Sequence, residues 1–161
     1  MDEAVARPVE ARSVAGVAAF RDRAAARQAL ATIFGVSLPE RQGFVRAGAV
    51  VLSCLGAGRY LAAGPRGAGL PARLAGELKG VAAVTDQSDQ WTAFALSGAG
   101  STALLSSLVP IDLEDASFPV GALALTRAGH LDVRLWRLAE FDYEIAVSRS
   151  LAEELKNAVR A

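Results

Sequence analysis

Apolar and polar positions repeat along this chain with two periods, and the switches between them mark its elements. From about Arg21, Ala26, Leu30, Ile33 and Phe34 fall on one side and Arg23 and Arg27 on another, the stripe of an amphipathic helix. Gly35 stops it, and Ser37-Leu38-Pro39 enforces an extended exit. Phe44 to Leu55 reads as one strand, whose unbroken run Ala49-Val50-Val51-Leu52 predicts cover on both faces. Gly56-Ala57-Gly58 turns into a second strand, Arg59–Ala63. Leu70, Leu74 and Leu78 then repeat at helical spacing behind Pro71, and Gly80 ends that helix.

The second half alternates more. Val81–Thr85 and Gln90–Leu96 read as strands, the latter with Thr92, Phe94 and Leu96 on one side and Ala93 and Ala95 on the other. Gly100–Leu108 follows as a helix with Leu104 and Leu108 inward, and Val120–Thr126 as a strand with Leu123 and Leu125 on one face. Leu131, Val133 and Leu135 then alternate with Asp132, Arg134 and Trp136, and Phe141, Tyr143, Ile145 and Val147 with Asp142, Glu144 and Ala146. A hairpin centred on Ala139 would set Arg134 across from Glu144 and Trp136 across from Asp142. Trp136 is left on the polar face, where so large a ring calls for cover by another chain or by the N-terminal segment. Ser150-Leu151-Ala152-Glu153 has the form of a capping box ahead of a terminal helix striped by Leu151, Leu155 and Val159.

This order predicts an α+β fold, a mostly antiparallel sheet with helices packed on one side and a ferredoxin-like second half. Residues 1–19 show no sustained period and read as a flexible or extended arm. Residues 20–161 are expected to form one domain, with halves 20–80 and 81–161.

Composition narrows the function. Apolar residues make up 52% and charged residues 21% of the 161, enough for a large interior. A formal net charge of +0 with scattered arginines argues against a nucleic-acid binder, and weak self-repulsion favours a chain that lives against a partner. One cysteine, Cys54, permits no internal disulfide. With no secretory signal pattern and no run long enough to span a bilayer, the expectation is a cytoplasmic protein without a membrane role.

No reactive constellation emerges. The glycines from Gly56 to Gly69 lack both a Lys-Ser/Thr ending and a three-glycine fingerprint, and read as turns. Ser97-Gly98-Ala99-Gly100-Ser101 could cradle an anion, though a tight strand-to-helix turn is the simpler reading. Asp86-Gln87-Ser88-Asp89 looks like a turn bonded to its own backbone, and Asp86 with Asp89 offers too few oxygens for a hard cation. His130, the one histidine, sits beside a turn glycine with no nucleophile spaced near it, as expected of a surface residue. No catalytic, cofactor-binding or metal-ligating residue is therefore expected. The expected interface set is Trp136, Arg134 and Arg149.

The sequence also resembles the gamma subunit of heterotetrameric sarcosine oxidase, a family related to the folate-binding domain of the glycine-cleavage aminomethyltransferases. The likeness runs from about residue 26 to the end. It is carried by Asp86 and Ser88 before a strand, Leu96-Ser97-Gly98 before a helix, Ile111-Asp112-Leu113 and Phe118-Pro119-Val120-Gly121. Thr126, Val133, Trp136-Arg137, Phe141 and Val147-Ser148-Arg149-Ser150-Leu151-Ala152 continue it, with Gly35-Val36-Ser37-Leu38-Pro39 and Arg59-Tyr60-Leu61 echoing the earlier half.

What the resemblance implies is a non-catalytic subunit assembling with alpha, beta and delta partners. The complex would demethylate sarcosine oxidatively, release peroxide and pass the one-carbon unit to tetrahydrofolate. FAD, FMN, NAD and tetrahydrofolate are implied for the complex, and none for this chain alone. Gly56-Ala57-Gly58 departs from a more acidic, tryptophan-bearing stretch of the family and leaves the N-methyl substrate open. The alternative is a folate-dependent aminomethyltransferase-like enzyme or small-ligand-binding domain, which would set a carboxylate such as Asp86 or Asp112 against a pocket.

Overall fold

In chain order the elements are β1 (Val5–Pro8), β2 (Ser13–Ala19), α1 (Arg23–Phe34), β3 (Gly43–Ala47), β4 (Val50–Gly56), β5 (Arg59–Gly64), α2 (Leu70–Glu77) and β6 (Ala82–Asp86). They continue with β7 (Trp91–Ser97), α3 (Ser101–Leu108), β8 (Leu123–Ala128), β9 (Leu131–Ala139), β10 (Asp142–Ser148), a 3-10 turn (Arg149–Leu151) and α4 (Ala152–Arg160). This computed structural model describes residues 3–160. Residues 1 and 2 of the expected arm, and residue 161 at the end of the expected domain, lie outside the described residues.

The α+β class holds, with helices and antiparallel strands, but the strands form two five-stranded sheets rather than one. Residues 11–89 make one compact unit; residues 3–10 with 90–160 make the other. We call them the inserted and the split unit. The divide thus falls after residue 89 rather than at 80, and Ala82–Asp86, expected in the second half, pairs with β2 in the first. The N-terminal segment is extended, and it is woven into structure. Its β2 lies between β5 and β6 in the inserted unit, with Ala15 and Val17 buried, while β1 pairs with β7 in the split unit.

In the inserted unit the sheet order is β3-β4-β5-β2-β6. Asp22 begins α1 by accepting the Ala25 amide on its side chain (2.9 Å), and Gly35, in the left-handed region at φ 65°, ends it. Ala26 and Leu30 of α1 join Leu70, Leu74 and Leu78 in a core with Leu52, Tyr60 and Ala62 of the sheet. The single strand expected over Phe44–Leu55 is instead a hairpin, since Gly48 takes φ 61° and folds β3 back on β4. The apolar run concealed that turn.

In the split unit the order is β1-β7-β10-β9-β8. Phe94, Leu96, Val133, Leu135, Tyr143, Ile145 and Val147 point to one side, where Leu105 of α3, Val109 just after it, and Leu155 and Val159 of α4 cover them. Three details differ from expectation. In α3 it is Leu105 that is sealed, with Leu104 and Leu108 at the margin. In β8 the core side belongs to Ala124 and Ala128, whose partners are Leu135 and Leu131, and Leu125 is exposed on the other side. The capping box does not form: the chain enters α4 through a 3-10 turn, and Glu153 pairs with Lys156 at 3.3 Å.

Candidate functional site

Alternation along β9 turns Arg134 and Trp136 to the face away from α3 and α4, because Val133 and Leu135 take the core side. The β9–β10 turn is Glu140-Phe141, with a bulge between Asp142 and Tyr143, so cross-strand partners shift by two from those expected. Trp136 faces Glu144, and Arg134 faces Ala146. The small Ala146 leaves the guanidinium room to reach across β10, and Arg134 stacks 3.7 Å over the Trp91 ring of β7. Such a stack contributes about 0.5–2 kcal/mol, according to its exposure. Arg149 is exposed just past β10, following Ser148, the residue opposite Trp91; its amide donates to Gln90 O (2.9 Å). Arg134 and Trp136 therefore share a half-buried face with Trp91, and Arg149 lies at its end.

Both carboxylates offered by the alternative reading are engaged in their own turns. The Ser88 hydroxyl and amide hold the Asp86 carboxyl below the usual carboxylate range, and the Ser88 hydroxyl also accepts the Val14 amide at 3.0 Å. Asp112 is lowered likewise, by the Ser117 hydroxyl at 2.6 Å and the Glu114 amide at 3.0 Å. His130 is exposed and meets Glu154 at 2.8 Å. Among the described residues no group of three or more His, Cys, Asp or Glu side chains could hold a metal. Ser97–Ser101 makes a tight turn in which the Ser101 amide donates to Gly98 O (2.9 Å), and the Glu3 carbonyl lies against Gly98. In the inserted unit Phe20, Arg21, Asp22, Ala25, Gly80 and Val81 line an open cleft of about 660 Å³ with no convergent acid-base pair.

The residue that sequence reasoning missed is Arg137. Its guanidinium is buried and donates to Phe118 O (2.7 Å), Glu140 O (2.9 Å) and, longer, Leu113 O (3.4 Å), and it pairs with Asp115 at 2.7 Å. The Gly121 amide donates to Arg137 O and the Arg137 amide to Ala122 O. One side chain thus ties the loop between α3 and β8 to the β9–β10 turn. The signal was present: counting by twos from Leu131 puts Arg137 on the core side, where an arginine must find acceptors.

No family model matches the sequence, and no curated protein matches it significantly. Solved structures do. A chain of the heterotetrameric sarcosine oxidase from Corynebacterium sp. U-96, in complex with pyrrole 2-carboxylate, superposes with a TM-score of 0.86 at 27% identity over 97% of this chain and 81% of that one. This chain has the build of a sarcosine oxidase subunit. The glycine cleavage system aminomethyltransferase T from Bartonella henselae shares the fold, with a TM-score of 0.63 at 16% identity over 97% of this chain and 45% of that one. The present chain therefore spans under half of the aminomethyltransferase, and most of the oxidase chain. No helix of the described residues is long and apolar enough to cross a membrane.

Proposed function

We propose that this chain is a non-catalytic, gamma-type subunit of a heterotetrameric sarcosine oxidase-like complex, acting in assembly beside alpha, beta and delta subunits in the cytoplasm. The observation that carries the reading is the superposition at TM-score 0.86 along 97% of the chain on a chain of such an oxidase. In this role the FAD, FMN, NAD and tetrahydrofolate of the reaction belong to the assembly, and the N-methyl amine is oxidised outside this polypeptide.

The character of the carboxylates supports the same view. A general base needs a free lone pair and a pKa near the working pH. Asp86 and Asp112 are instead acceptors in their own turns with lowered pKa values, which weighs against the transferase alternative. The test is co-expression with the neighbouring subunits. The expected result is a stoichiometric complex with flavin absorbance and sarcosine-dependent peroxide release, and an isolated chain with neither. Turnover of an N-methyl amine or a folate by the purified chain alone would overturn the proposal.

A further inference from the structure

The end of the split unit built by residues 112–120 and 139–142 combines two features that the site above does not use. Val120 and Phe141, 57% and 40% exposed, are two of the few large apolar side chains left in solvent. These two segments also hold Asp112, Glu114, Asp115, Glu140 and Asp142 and no lysine or arginine. Separate loops would scatter such residues. Here Arg137 gathers them, bonding Phe118 O on one segment and Glu140 O on the other while the Gly121 amide closes onto Arg137 O. Asp112 fixes the first segment further through Ser117 and Glu114. The result is two exposed apolar side chains held among carboxylates on preorganised segments, with the Arg137 guanidinium buried.

We propose that this end is a docking surface for a basic segment of a partner subunit, one that seats an apolar side chain on Val120 and Phe141 and sets lysines or arginines against Glu114, Glu140 and Asp142. The occupant follows from charge: a neutral or acidic segment would face uncompensated carboxylates, whereas a basic one gains attraction around the apolar contact. Holding the loop and the turn in place beforehand lowers the ordering cost of binding. The inference rests on the subunit reading above and adds the place and the chemistry of the contact.

The experiment compares the wild-type chain with Val120→Ser/Phe141→Ser and with Glu114→Gln/Glu140→Gln/Asp142→Asn in co-purification and titration against the other subunits, with circular dichroism confirming the fold. Phe20→Ser, at an exposed apolar residue of the inserted unit, is the control. The apolar variant is expected to weaken association at least about tenfold. The neutralised variant is expected to weaken it and to flatten its decline with salt. Folded variants that associate like wild type, with wild type assembling normally, overturn this proposal alone. A wild-type chain that assembles with no oxidase subunit overturns the subunit reading and this surface with it. A wild-type homodimer lost in the apolar variant assigns the patch to self-association and also overturns the proposal.

Discussion

Replacing Arg137 by methionine keeps most of the stem and removes the fork. Two short bonds from a charged donor are lost, to Phe118 O at 2.7 Å and Glu140 O at 2.9 Å, and each contributes about 1.5–3 kcal/mol. The Asp115 partner is 84% exposed, so its release strands no buried charge and costs about 0–1 kcal/mol. Relief from holding a cation out of water, worth several kcal/mol in effective terms, offsets part of the loss. The net expectation is a destabilisation of about 2–3 kcal/mol, or a fall in Tm of roughly 4–12 °C. Urea unfolding followed by tryptophan fluorescence reads it directly, because Trp91 and Trp136, the two tryptophans of the chain, both lie in the split unit. Arg137→Lys is the discriminating companion. An ammonium keeps the charge but cannot serve both carbonyls in the same geometry, so it is expected to be no better than methionine. A methionine variant within about 0.5 kcal/mol of wild type, or full rescue by lysine, would refute the clamp.

Leu155→Ala, at a fully buried position of α4, is expected to cost about 2–5 kcal/mol in the same unfolding experiment. A loss well under 1 kcal/mol would show that α4 is not bound to the sheet through this side chain. The Ser117 and Glu114 bonds favour ionised Asp112, so that contribution is complete above the unfolded carboxylate value of about 3.9 and is lost as pH falls through the lower folded value. Ser117→Ala should therefore move the Asp112 carboxyl titration upward by NMR; an unmoved titration refutes the assignment. Gly98→Ala would place a Cβ 2.7 Å from the Glu3 carbonyl oxygen at φ 102°, a strain of about 1–3 kcal/mol. Faster amide exchange at Ala6 and Arg7 of β1 is the expected readout, and unchanged exchange there would count against the close approach.

Where a local signal existed, the sequence could be read. Leu70, Leu74 and Leu78 are all buried as their spacing required, Gly35 ends α1, and Tyr143, Ile145 and Val147 share one interior. What escaped reading depended on pairing at long range or on a turn without its usual marker. Ser13–Ala19 is a strand of small residues whose partners begin at Arg59 and Ala82, so nothing within it announces a place between two other strands. Gly48 was hidden in an apolar run, and Glu140-Phe141 carries no glycine to fix the hairpin centre, which is why the partners of Arg134 and Trp136 were displaced by two. The candidate surface was half legible: the acids stand in the sequence, but Val120, expected to begin a strand, lies in the loop before β8, and the side chain that gathers the segments contacts residues more than a dozen positions away.

The way residues 3–10 and 90–160 enclose 11–89 has a consequence for how the protein is made. On the ribosome the intervening block is finished before any of Trp91–Ser97 has emerged, so it can close its own interior first. Strand β1, synthesised before that block, must stay unpaired until β7 follows it, with Pro8 and Arg7 as natural guards against the wrong neighbour.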